Sequence, residues 1–214
     1  MAQIVPAILE KTKEAFLQRL ALVIKLPGVE RIQVDFGDGE FIENKLLSAA
    51  EMDSLNPAFY WEAHLMIKEP KDFLDYQICG FKTLIVHYGA FTSVADLKIT
   101  LAEIKSMGFK TCVAINPGTP VEVLKDAPAD QYLIMSVTPG KQGQEFISST
   151  PDKIRVLRKL LPHAIIEVDG GVNIGNVKLA AESGADLICV GSALVKAPDV
   201  KDSWEKLNEE INRN

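Results

Sequence analysis

Short apolar runs rich in β-branched residues alternate along the whole chain with longer segments of helical periodicity. The pattern predicts strands over 3–7, 31–36, 61–66, 83–87, 110–115, 131–136, 164–168 and 186–190. Amphipathic helices are clearest over 12–24, 94–107, 151–161, 175–183 and 200–212. Gly80, Gly108 and Gly184 each stand between a helix and the next strand, where a left-handed cap turns the chain back toward the sheet. An open doubly wound sheet would carry the same punctuation. Eight strand-plus-helix units with no linker between them favour closure instead, and predict a single α/β domain over 1–214, a (β/α)8 TIM barrel.

Alternation within the strands assigns their faces. In the second strand Ile32, Val34 and Phe36 oppose Arg31, Gln33 and Asp35. In the third, Ala63 and Leu65 oppose Glu62, His64 and Met66; in the seventh, Ile166 and Val168 oppose Ile165, Glu167 and Asp169. The apolar sets are expected under the helices, which turns the polar sets into the barrel. Enclosed polar groups are costly unless they are paired, hydrated or bound to metal. Asp35, His64 and Asp169 all fall near C-terminal strand ends, where barrels of this kind keep their sites. A satisfied internal hydrogen-bond cluster and a catalytic or metal-binding centre both accommodate them.

The composition, 47% hydrophobic and 24% charged, is that of a water-soluble globular protein with room for a sizeable core. A net charge of −6 argues against nucleic acid or an anionic membrane as partner. It leaves a small anionic substrate possible, because local amides hold a phosphate more than global charge does. Cys79, Cys112 and Cys189 lack metal-knuckle spacing, and the latter two sit in apolar runs as expected core thiols. The first residues lack the basic stretch of a secretory leader, and no apolar run approaches a membrane span, so a cytosolic setting is expected.

Three glycine-bearing turns follow strands six, seven and eight. They are 136–144, with Gly143, then Gly170-Gly171 after Asp169, then Gly191-Ser192. Successive glycines let backbone N–H groups approach an anion, and loops seven and eight are the usual phosphate position in this fold. A phosphorylated small molecule is therefore the expected ligand. Lys141 is a further phosphate or substrate contact, with a solvated loop lysine as the plain alternative. His87 ends the fourth strand and is a secondary candidate. His163 is expected to be structural, Trp61 and Trp204 to pack, and Asp38-Gly39 to make a tight turn.

These blocks, in order, resemble the ribulose-phosphate 3-epimerase family over essentially the whole chain. The resemblance rests on Val5-Pro-Ala-Ile-Leu, Val34-Asp-Phe-Gly-Asp-Gly, Ala63-His-Leu-Met66, Ala114-Ile-Asn-Pro-Gly-Thr-Pro120, Ile134-Met-Ser-Val-Thr-Pro-Gly140, Ile166-Glu-Val-Asp-Gly-Gly-Val-Asn173 and Gly184-Ala-Asp-Leu-Ile-Cys-Val-Gly-Ser192. It implies epimerisation at C3 of a ketose 5-phosphate of the D-ribulose to D-xylulose type. Asp35 and Asp169 would be the acid/base pair and, with His64, ligands of a divalent ion such as Zn2+, Fe2+, Mn2+ or Co2+. It also implies Met66 as a substrate contact and a dimer or larger homo-oligomer. The chemistry is coherent, because inversion needs a proton donor on each face and a cation stabilises the developing oxyanion.

Several positions depart from the family pattern. Its fourth ligand, a histidine, is here Gln33, whose amide oxygen as a weak ligand would shift preference toward Mn2+ or Mg2+. Ala7 replaces a serine, Gly37 a methionine that walls the reacting carbons, and Gly89 a glutamate after His87. Thr138, Lys141 and Gln142 stand for Asn, Phe and Gly in the sixth loop. Two other readings remain: a phosphosugar enzyme with altered substrate, and a sugar-phosphate-binding barrel without catalysis. The Asp-x-Lys-x-x-Asp motif of the related decarboxylases and hexulose-phosphate synthases is missing at Asp35, which disfavours that group.

Overall fold

A computed structural model describes residues 2–70 and 73–213. Eight parallel strands close in sequence order: β1 Gln3–Ile8, β2 Arg31–Gly37, β3 Tyr60–Met66, β4 Thr83–His87, β5 Lys110–Ile115, β6 Gln131–Met135, β7 Ile165–Asp169 and β8 Leu187–Val190. The last strand pairs with the first, Val5 opposite Cys189, so no edge is left open. The strand expectations hold to within about two residues at each end.

The helices are α1 Lys13–Val23, α2 Leu74–Cys79, α3 Val94–Ser106, α4 Thr150–Leu160, α5 Val177–Glu182, α6 Ser192–Val195 and α7 Val200–Ile211. The five expected from periodicity are all present. Two of the eight units lack an α-helix: β2 leads to a 3-10 turn at Ala49–Glu51, and β5 to one at Val121–Asp126. Prolines explain the second case. Pro117, Pro120 and Pro128 remove backbone donors within a dozen residues and leave room for only tight turns. Sequence periodicity missed α2, whose six residues are too few to show a helical stripe.

The main core lies between strands and helices and includes Ile32, Val34, Phe36, Leu65, Ile166 and Val168. These are the positions that alternation placed under the helices. The barrel interior is divided. One wall is apolar, with Ile85, Cys112, Ala114, Leu133 and Met135, and a smaller patch joins Val5, Ala7, Leu187 and Cys189. The rest is polar and buried, with Gln33, Asp35, Glu62, His64, His87, Gln131, Glu167 and Asp169. Trp61 and Trp204 pack as expected, each donating its indole N–H to a backbone carbonyl, of Asn56 and Pro27. No helix among the described residues is long and apolar enough to cross a membrane.

Candidate active site

The strand register delivers the site. β2 and β3 align Gln33 with Glu62 and Asp35 with His64, one step apart on the inward face. β6 and β7 align Gln131 with Ile165 and Met135 with Asp169. The interior polar groups therefore form two tiers. The lower tier, toward the N-terminal ends, joins Arg31 Nη1 to Glu62 at 2.6 Å, and Gln131 Nε2 to Glu62 at 3.1 Å and to Glu167 at 2.5 Å. The upper tier holds Gln33, Asp35, His64 and Asp169.

In the upper tier the Gln33 amide nitrogen donates to Asp35 Oδ1 and to Asp169 Oδ2, each at 2.9 Å. The two carboxylates thus converge on one atom from strands on different sides of the barrel. His64 Nδ1 stands 3.0 Å from Asp35 Oδ1 and 3.4 Å from Asp169 Oδ2. Its Nε2 lies 2.9 Å from His87 Nε2, and His87 Nδ1 lies 3.1 Å from Asn116 Oδ1. The amide oxygen of Asn116 only accepts, so His87 carries its proton on Nδ1 and accepts from His64 at Nε2. That leaves Nδ1 as the atom His64 presents to the aspartates. Partners behind a histidine in this way fix its ring and its tautomer.

Electrostatics follow from the geometry. Burial alone would lower the His64 pKa, but hydrogen bonds and charge from Asp169 and Asp35 outweigh it and raise it to about 10. His87 goes the other way, held well below the ordinary imidazole value by burial and then by the charge on His64. Asp35 is raised, chiefly by burial and also by the neighbouring Asp169 charge, against the opposing His64 hydrogen bond.

Asp35, His64 and Asp169 can each offer one ligand atom, and these atoms lie within 4.8 Å of one another. Two anionic oxygens and an imidazole nitrogen are a suitable donor set for a divalent cation, and the three residues fit one. Gln33 presents nitrogen to the same space, while its oxygen accepts from Cys189 Sγ at 3.2 Å. In this arrangement its amide nitrogen is a donor to both carboxylates.

Above the carboxylates opens a cleft that also takes in Met66, Lys141, Gly143, Gly170, Gly171, Gly191 and Ser192. The expected phosphate and substrate residues are therefore brought together with the aspartates. Gly171 shows why glycine is needed: at φ +65° an added Cβ would lie 2.5 Å from the Phe146 backbone nitrogen, where the β6 loop crosses it. Buried Ser136 ties that loop to the Asp169 and Gly170 carbonyls. Lys141 reaches across the mouth to Glu43 at 2.7 Å, with both side chains exposed.

The room that Gly37 opens is taken by Ile42, whose Cδ1 would collide with a Cβ added there. Ile42 packs in that place with Leu46 and Met66, so the apolar surface lost from the strand is supplied by the loop. Asp38 turns that loop as expected, accepting from the backbone N–H groups of Glu40, Phe41 and Lys68. His163 is exposed in the turn before β7, away from the site. Sequence reasoning missed Asn116 and the partnership of Cys189 with Gln33. Asn116 enters it only within a block that carries the resemblance, and Cys189 only as a core thiol, which its burial bears out.

The profile described as "Ribulose-phosphate 3 epimerase family" matches residues 3–195. A ribulose-phosphate 3-epimerase from Bacillus subtilis is 33% identical, covering 94% of this chain and 95% of that protein. One from Candida glabrata is 31% identical over 87% of this chain and 83% of its own length. Among solved structures, 3-hexulose-6-phosphate synthase from Salmonella typhimurium superposes with a TM-score of 0.73 at 21% identity, covering 98% of both chains, and attests the shared fold. KGPDC from Streptococcus mutans has a TM-score of 0.66 at 11% identity, covering 100% of this chain and 98% of its own. With nearly its full length matched by the profile, the chain belongs to the ribulose-phosphate 3-epimerase family.

Proposed function

We propose that this chain epimerises a ketose phosphate at C3, of the D-ribulose 5-phosphate to D-xylulose 5-phosphate type, with Asp35 and Asp169 as the acid/base pair. The observation that carries the reading is the convergence of both carboxylates on one point at the floor of the cleft, each 2.9 Å from the Gln33 amide nitrogen. One aspartate takes the C3 proton from its face of the sugar, and the other delivers a proton to the opposite face. Gly143, Gly170, Gly171, Gly191 and Ser192 hold the phosphate, which fixes the distance from the anion to C3. Met66 lines the carbon chain, and Lys141 is an exposed counter-charge that can exchange Glu43 for the substrate phosphate.

Asp35, His64 and Asp169 would hold the divalent cation. When bound, it supplies positive charge to the oxygens that gain electron density as C3 loses its proton. His87 and Asn116 keep His64 Nδ1 directed at that position. A cytosolic, water-soluble enzyme is part of the proposal.

The test is to strip the protein of metal, add Mn2+, Mg2+, Co2+, Zn2+ or Fe2+ singly, and follow both D-ribulose 5-phosphate conversion and solvent deuterium entry at C3. Turnover with at least one ion is expected. Neither turnover nor exchange with any ion would remove the reading. A second reading, another ketose phosphate as substrate, is favoured by Ile42 in the space beside Gly37. It predicts exchange at C3 with a ketose phosphate of different chain length or configuration.

A further inference from the structure

A buried pair of carboxylates needs hydrogen-bond donors between them, and this barrel meets that need twice in the same way. In the lower tier the Gln131 amide nitrogen spans Glu62 and Glu167. In the upper tier the Gln33 amide nitrogen spans Asp35 and Asp169. An amide nitrogen has two hydrogens and no lone pair available to a metal, so each carboxylate receives one hydrogen and a cation receives nothing.

The orientation of Gln33 is not free. Its oxygen faces the Cys189 thiol at 3.2 Å, on the side away from the aspartates. Turning the amide over would set its oxygen against two carboxylates and direct its N–H groups at a sulfur, a weak acceptor. The thiol has one hydrogen and two acceptors in reach, Gln33 Oε1 and Glu167 Oε1 at 2.9 Å, so it links the two tiers. Gln33 and Cys189 are both completely buried, out of reach of bulk solvent.

We propose that Gln33 is an internal clamp whose NH2 group joins Asp35 to Asp169 in competition with the divalent cation, with Cys189 as the positioning residue that keeps the amide oxygen turned away. The inference rests on the cation reading of the proposed function. The cation gains three protein ligands on binding, and displaces the proton on His64 Nδ1 as well as two charge-assisted hydrogen bonds. Affinity is set by that exchange, and the amide opposes binding.

The sign of one measurement separates clamp from ligand. Mn2+ is titrated into the metal-stripped full chain, and the free aquo-ion is followed by its electron paramagnetic resonance signal. Gln33→Leu removes the clamp and is expected to bind Mn2+ about tenfold more tightly than the wild type. Cys189→Ala lets the amide turn and is expected to tighten binding by about threefold. Weaker or unchanged binding in Gln33→Leu overturns the clamp and leaves the epimerase reading standing.

Should Gln33→Leu fail to fold, the wild type decides the matter through the side-chain N–H signals of Gln33. They are expected to exchange slowly with solvent in stripped protein and faster once Zn2+ is added. Protection unchanged at saturating Zn2+ overturns the clamp. Binding of no ion by the wild type or by Gln33→His, which offers an imidazole instead, would overturn the clamp and the cation reading together.

Discussion

Two tiers of polar side chains lie one above the other inside the barrel, each tying a pair of carboxylates together through one glutamine amide. They differ in their cation and in their access to solvent. The lower tier has a guanidinium, Arg31, stacked 4.2 Å from the Tyr60 ring centre and bonded to Glu62. It is closed above by the upper tier. Glu62 is raised by burial against the pull of Arg31, and Glu167 is raised well above the usual range by burial and then by the charge on Glu62. The upper tier has an imidazole in the cation's place and opens into the cleft. A permanent cation in an enclosed space makes a structural brace. A titratable group and displaceable amide hydrogens beside a cleft make a place for chemistry.

Substitutions can break that division of labour. Asp169→Asn in the upper tier is expected to lower kcat by about three orders of magnitude while the melting temperature moves little, since a proton-transfer group is lost and no volume changes. Steady-state kinetics beside a thermal melt checks both halves. A variant retaining more than about a tenth of wild-type turnover would put the acid/base work elsewhere.

Arg31→Met in the lower tier is expected to do the reverse. It leaves Glu62 buried without its cation and destabilises the fold on the order of 3 kcal/mol, with activity per folded molecule preserved. Denaturant unfolding measures the loss. A stability change below about 1 kcal/mol would mean that the lower tier is not a brace.

The third effect expected is a drift with pH. The folded pKa of His64, about 10, exceeds its ordinary value of 6.5, so its contribution is complete below about pH 6.5 and lost as pH rises through 10. The melting temperature of metal-stripped protein should therefore fall over that window, and His64→Gln should flatten the fall. A wild-type curve flat from about pH 7 to about pH 10 would show that His64 is not held as a cation by the aspartates.

The alternation of β2, β3 and β7 is enough to turn Asp35, His64 and Asp169 inward, because strand period fixes the face of every side chain once one face is apolar. The same rule places Gln33 inward, but a face is not an orientation. Whether its oxygen or its nitrogen meets the carboxylates depends on Asp169 and on Cys189, 136 and 156 residues away on β7 and β8. His87 stands at the right strand end, yet the sequence makes it only a secondary candidate and names no partner for it. Its chain to His64 and Asn116 spans β3, β4 and the loop after β5, which no local pattern encodes.

The closed barrel, the inward polar residues and the glycine turns around the cleft are legible in the order of residues alone, since periodicity, burial and left-handed backbone are properties of short segments. Which atoms those residues present to one another is a matter of assembly. It puts an amide nitrogen between two aspartates, sets a histidine tautomer from behind, and seats Ile42 in the room beside Gly37. Those choices follow from hydrogen-bond satisfaction and packing among side chains far apart in the chain, which are fixed only when all eight strands have closed.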